Sequence, residues 1–124
     1  MKKKILVIDD EELLTRTFTK LLEMKGFDVF VAKKGADALE IAAEENFDLI
    51  ISDVRMPGLD GIETMILLKK MIEGKKESCP PVIFITGYAD IEKEEKARRL
   101  SPAGYIMKPF DVSSLLAKIN EVLG

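Results

Sequence analysis

The chain contains no histidine. That excludes Ser-His-Asp and Cys-His catalysis within it, and histidine ligation of a metal. A lone cysteine, Cys79, excludes an internal disulfide and a multi-cysteine metal centre, and it suits a reducing compartment. No apolar run approaches membrane-spanning length. Met1-Lys2-Lys3-Lys4 leads into only four apolar residues before the acids begin, too few for the core of a signal peptide. Gly-x-Gly-x-x-Gly and a Walker-type Lys-Ser/Thr are both missing, so the sequence has no recognisable loop for cradling a nucleotide's phosphates. No internal repeat, linker or low-complexity tract interrupts the chain. These absences predict a cytoplasmic protein whose chemistry runs on carboxylates, lysine, hydroxyls and backbone.

What is present fits one domain spanning residues 1–124, large enough to bury a core without staples. Hydrophobic residues make up 47% and charged residues 33%, the composition of a soluble globular chain. A net charge of −3 argues against direct binding to nucleic acid or to an acidic membrane surface.

Apolar runs alternate with helical patterns along the whole length. Lys4–Ile8 reads as a strand, and Asp9-Asp10-Glu11-Glu12 opens a helix in which Leu14, Phe18, Leu21 and Leu22 recur at helical spacing until Gly26 stops it. A second strand covers 27–32. The second helix covers 35–45, with Ala36, Leu39, Ala42 and Ala43 assigned to one face. A third strand covers 47–52 and a third helix 61–72, with Ile62, Met65, Ile66 and Met71 among its apolar positions. Residues 73–81 form a polar loop expected to tolerate change, with Cys79 incidental within it. Val82–Ile85 is the fourth strand. Asp90 caps an unusually polar fourth helix whose apolar face is only Ile91, Ala97 and Leu100, which predicts weak docking. Gly104–Met107 is the fifth strand, and Asp111 caps a last helix carrying Leu115, Leu116, Ile119, Val122 and Leu123. Five strand–helix units in strict alternation predict an α/β fold, a doubly wound parallel sheet covered on both faces.

In such a sheet, ligands bind outside the carboxyl ends of the strands. The first strand delivers Asp9 and Asp10 there, the third Asp53, the fourth Thr86 and the fifth Lys108. Each has an ordinary structural explanation taken singly: a helix-opening acid, a turn aspartate, a strand-end threonine, a solvated lysine. Their joint placement favours a site. If the first and third strands are neighbours, their tips lie about 5 Å apart, and three carboxylates that close are unfavourable without a cation. Oxygen ligands from carboxylates and a backbone carbonyl suit Mg²⁺. A carboxylate beside that ion can attack phosphorus, with Lys108 and the Thr86 hydroxyl contacting phosphoryl oxygens.

The whole chain resembles the receiver domain of two-component response regulators, of the chemotaxis-receiver kind. Asp9-Asp10 resembles the family's acidic pair, and Asp53-Val54-Arg55-Met56-Pro57-Gly58-Leu59-Asp60-Gly61 the block around its phosphoacceptor. Ile85-Thr86-Gly87-Tyr88 is similar to the switch-threonine segment, and Tyr105-Ile106-Met107-Lys108-Pro109-Phe110 to the aromatic switch followed by the lysine. The resemblance implies a five-stranded sheet in the order 2-1-3-4-5. It implies that Asp53 takes a phosphoryl group from a sensor histidine kinase or phosphotransfer protein. Mg²⁺ would be bound by Asp10, Asp53 and the Arg55 backbone carbonyl, with Asp9 acting through water. It also implies a cis Lys108–Pro109 bond and movements of Thr86 and Tyr105. These would repack the face made by the fourth helix, fifth strand and fifth helix, the surface for an output domain, a downstream protein or a second copy. Arg55 and Tyr88 occupy positions that tune phosphoryl lifetime in the family.

Other functions fare worse. An aspartyl-phosphate hydrolase of the haloacid dehalogenase type needs a second acid two residues after the nucleophile, and Asp53 is followed by Arg55. A nucleotide- or flavin-binding module lacks its phosphate loop. A docking-only receiver would not require all five site residues. The expectation is a phosphoacceptor switch rather than an enzyme acting on a separate substrate, either standing alone or forming part of a longer regulator.

Overall fold

The computed structural model describes residues 2–55, 58–75, 77–87 and 91–124, apart from the side chains of Ile91 and Glu92. The assignments made to Met56, Pro57, Tyr88 and the Asp90 cap, and to the side chain of Ile91, lie outside them. Ten elements alternate. They are β1 (Lys4–Ile8), α1 (Glu12–Met24), β2 (Asp28–Ala32), α2 (Gly35–Glu44), β3 (Leu49–Asp53), α3 (Gly61–Gly74), β4 (Val82–Thr86), α4 (Ile91–Arg98), β5 (Gly104–Met107) and α5 (Val112–Leu123). All strand pairs are parallel, in the order β2-β1-β3-β4-β5.

The continuous apolar strands follow from burial on both faces. Leu6, Ile8, Ile50 and Phe84 pack under α2, α3 and α4, while Ile5, Val7, Leu49, Ile51, Ile83 and Ile85 pack under α1 and α5. Phe18 and Leu22 anchor α1, and Leu115 and Ile119 anchor α5; all four are essentially buried. Gly26 ends the first unit with φ +91, a left-handed conformation that glycine adopts without steric cost.

Several expectations need correction. The buried stripe of α2 is Gly35, Ala38 and Ala42, while Ala36 and Ala43 face solvent. Apolar alanines at those two positions fall off the stripe because helical angle, not side-chain type, decides what faces the sheet. In α3, Ile66 is 39% exposed and the core contacts come from Ile62, Met65, Leu68 and Ile72. Strand β3 runs through Asp53, and β4 through Thr86, one residue beyond the expected ends. Cys79 is half-buried against the α2–α3–α4 core, which raises its thiol pKa by desolvation. The loop before β4 is tied down by Lys75, whose ammonium donates to the carbonyls of Ala42 and Ala43 at 3.1 Å each, at the end of α2.

Candidate functional site at the carboxyl ends of the strands

The strand order reverses between β1 and β3, which is where a doubly wound sheet opens a crevice. Ile8 pairs with Ser52, so the residues that follow, Asp9 and Asp53, emerge side by side. Asp9 and Asp53 are 2% and 5% exposed, whereas Asp10 points to solvent. Each of these three offers a carboxylate oxygen within 4.8 Å of the other two.

Local contacts fix the end of β3 and the start of α3. The Ser52 hydroxyl donates to the Asp53 carbonyl at 3.0 Å, and the Gly61 amide donates to Val54 at 2.9 Å. A Cβ on Gly61 would stand 1.9 Å from the Asp53 carbonyl oxygen, so only glycine lets α3 start this close to Asp53. Asp60 opens α3 with a capping box: its carboxylate accepts from the Glu63 amide at 2.8 Å, and Glu63 accepts from the Asp60 amide at 3.2 Å.

Lys108 reaches the same crevice from the end of β5, where its amide donates to the Thr86 carbonyl at 2.6 Å. Its ammonium lies 3.2 Å from Asp53 Oδ2, 3.4 Å from Asp9 Oδ2 and 2.9 Å from Glu11 Oε1. The Asp53 carboxylate also accepts from the Arg55 amide at 3.3 Å, and that of Asp9 from the Glu11 amide at 2.9 Å. The Lys108–Pro109 bond is cis.

One ammonium faces several carboxylates, and the electrostatics show it. Burial pushes Asp9 up to about 6, against its hydrogen bond from the Glu11 amide and with the Asp53 charge adding to the rise. Burial also raises Asp53, against the opposing pull of Lys108. Burial works to lower Lys108, but the Glu11, Asp53 and Asp9 carboxylates outweigh it and hold the ammonium charged. A crowded, all-oxygen, net negative donor set fits a hard divalent cation and offers nothing to a soft one.

Asp9, Asp10, Asp53 and Lys108 therefore come together, as the sequence predicts. Thr86 is the buried last residue of β4, its carbonyl carrying Lys108. Tyr105 stands on the α4 side of the sheet, in register with Phe84. The partnership of Glu11 with Lys108 is not foreseen from the sequence, where Glu11 reads as a helix-opening acid. Nor is Gly61 foreseen as a close-approach position. An Asp-Gly pair at a helix start is the signal that pointed there.

The family model for the response regulator receiver domain matches residues 5–120. The chain belongs to that family. It is a receiver domain of two-component systems. The polar-differentiation response regulator DivK of Brucella ovis is 32% identical over 124 residues, covering 100% of this chain and 98% of that protein. Chemotaxis protein CheY4 of Vibrio cholerae superposes with a TM-score of 0.88 at 29% identity, covering 99% of this chain and 100% of that one. A Burkholderia pseudomallei response regulator, solved with a phosphorylated aspartic acid, a calcium ion and citrate, gives a TM-score of 0.81 at 30% identity; the match covers 94% of this chain and 66% of that one. Three other curated relatives are longer, and this receiver spans 54%, 51% and 25% of them.

Proposed function

We propose that this receiver takes a phosphoryl group onto Asp53 from the phosphohistidine of a sensor histidine kinase or phosphotransfer protein. The observation that carries the reading is the shared pocket: a buried Asp53 carboxylate, two further aspartates within 4.8 Å and the Lys108 ammonium at 3.2 Å. In the transfer, an Asp53 oxygen forms a bond to phosphorus while the phosphorus–nitrogen bond of the donor breaks. The electron pair returns to the donor imidazole. Lys108 would neutralise a phosphoryl oxygen, and the Thr86 hydroxyl would donate to another. Mg²⁺, held by Asp10, Asp53 and the Arg55 carbonyl with Asp9 acting through water, would offset the crowded negative charge of acceptor and donor. The acidic, all-oxygen cluster supports that ion, as does the calcium reported in the Burkholderia regulator.

Phosphorylation is then a local charge event that biases a two-state packing arrangement. Thr86 moves toward the phosphoryl group, Tyr105 turns inward, and the α4-β5-α5 face changes shape for an output domain, a downstream protein or a second copy of the chain. The receiver acts as one unit over residues 1–124, assists its own modification rather than turning over a separate substrate, and works in the cytoplasm. Among the described residues, no helix is long and apolar enough to cross a membrane.

Intact mass after incubation with acetyl phosphate tests this. The native chain gains one phosphoryl group only with Mg²⁺, and Asp53→Asn gains none. Equal gain in Asp53→Asn, or none on the native chain under conditions where Mg²⁺ binds, contradicts the assignment.

A further inference from the structure

The described side chains of helix α4 offer little apolar surface with which to hold its place. Among its described side chains only Ala97 is buried, and the following Leu100 is half-buried. Polar contacts supply the rest. Near its start, the Lys93 ammonium pairs with Asp60, the residue that caps α3. At its end, the Arg98 guanidinium lies over the ring of Tyr105, 5.1 Å from the centroid. The same guanidinium is held by Glu94 one turn earlier, Nη2 at 2.8 Å and Nε at 3.2 Å from Oε1. Arg98 is thus held by a residue of its own helix while its guanidinium carbon lies over the half-buried ring.

A planar cation over an aromatic face is attractive, and the attraction depends on the ring staying beneath it. In the switch proposed above, Tyr105 turns toward Thr86 and leaves that position. The contact therefore exists in one arrangement of β5 and is lost in the other, which is what a group must do to bias an equilibrium.

We propose that Arg98 is a positioning residue that holds Tyr105 in its resting place, so that the α4 end of the molecule sets how readily the receiver enters its phosphorylated form. The proposal rests on the reading of Asp53 as acceptor and Tyr105 as the moving aromatic. It gives Arg98 a role at a distance from the phosphoryl group. A partner that engages Arg98 on the α4 surface draws it off the ring and makes the receiver easier to phosphorylate. By linkage, phosphorylation releases the solvent-exposed Arg98 from the ring for such a partner. An acidic partner surface fits that position, since it replaces both Glu94 and the ring as the guanidinium's counterpart.

The test is a double-mutant cycle on the full chain. Beryllofluoride affinity in the presence of Mg²⁺ and the rate of phosphorylation by acetyl phosphate are measured for the native chain, Arg98→Ala, Tyr105→Ala and the double variant. Far-ultraviolet circular dichroism checks that each variant keeps its helices. Removing a contact made only in the resting arrangement raises the competent fraction by what the contact is worth, about two- to five-fold for a partly exposed cation over a ring. Arg98→Ala should therefore bind beryllofluoride about two- to five-fold more tightly and react correspondingly faster. Glu94→Gln, which keeps the cation but loosens its anchor, should show a smaller gain in the same direction. In the Tyr105→Ala background, Arg98→Ala should change nothing. Arg98→Ala matching the native chain, or giving the same gain without the Tyr105 ring, overturns the role of Arg98 while leaving the acceptor reading intact. A native chain that binds no beryllofluoride and takes no phosphoryl group overturns both.

Discussion

The two faces of the sheet are covered by different means. On one side, α1 and α5 bury Phe18, Leu22, Leu115 and Ile119 against Ile5, Val7, Ile51 and Ile85, and Phe18 stacks on Phe110 with ring centroids 5.5 Å apart. On the other side, α2 and α3 bury an apolar stripe, but α4 sits at the margin, pinned by the Lys93–Asp60 pair and the Arg98–Tyr105 contact. Apolar burial is non-directional and resists displacement, whereas a partly exposed ion pair is worth little net and is readily exchanged for water or another partner. The function proposed above calls for one side that stays and one that changes. Here the difference is built from side-chain chemistry, and both sides share the crevice holding Asp53.

The contrast breaks most severely at Phe18. Phe18→Ala should cost about 3–5 kcal/mol, read as a lowered denaturant midpoint, because it opens a cavity between α1, the sheet and Phe110. A loss below about 1 kcal/mol would show that the α1 side is no firmer than the α4 side.

The acidic crevice comes next, with the opposite sign. Asp9 is held at about 6 in the fold against an ordinary 3.8, so its ionised form is disfavoured there. Its contribution is fully present below 3.8 and is lost as the pH rises through about 6. With a chelator present, Asp9→Asn should therefore raise the thermal midpoint at neutral pH by a few degrees. The gain should shrink as the pH falls below about 6. Added Mg²⁺ should stabilise the native chain more than the variant, which keeps Asp10, Asp53 and the Arg55 carbonyl as ligands. A lowered midpoint in Asp9→Asn would mean the crevice is not strained by its own charge.

The smallest effect is expected at the pin of α4. Burial alone would raise Asp60, but the Glu63 amide and the Lys93 ammonium outweigh it, and the carboxyl lies below its usual range. A depressed acid contributes stability above its unfolded value and loses it as the pH falls through the folded one. Asp60→Ala should cost about 1 kcal/mol through the lost helix cap, and Lys93→Ala less than that. Both losses should fade in acid as Asp60 protonates. Lys93→Ala matching Phe18→Ala in cost would remove the distinction between the two sides.

The fold was legible because its signals were redundant. Five apolar strands and their helices could be read from period alone, and the site from charged residues at successive strand ends. Family resemblance supplied the strand order that period could not. The helix faces were less legible: Ala36 and Ala43 looked as apolar as Ala38, and only packing shows which of them the sheet covers. The pins of α4 were illegible for a different reason. Lys93 and Arg98 lie in a run of charges that reads as a solvated face, and their partners Asp60 and Tyr105 are distant in sequence. Glu11 was overlooked because an acid before a helix already has a local explanation, which hid its 2.9 Å contact with Lys108.

Backbone hydrogen exchange, with and without beryllofluoride and Mg²⁺, tests most directly whether charge at Asp53 is felt on the α4 side alone. The predicted result is a change in exchange concentrated in α4 and β5, with α1 unaltered. Equal changes in α1 and α4, or no change in α4 and β5 with beryllofluoride bound, would contradict it.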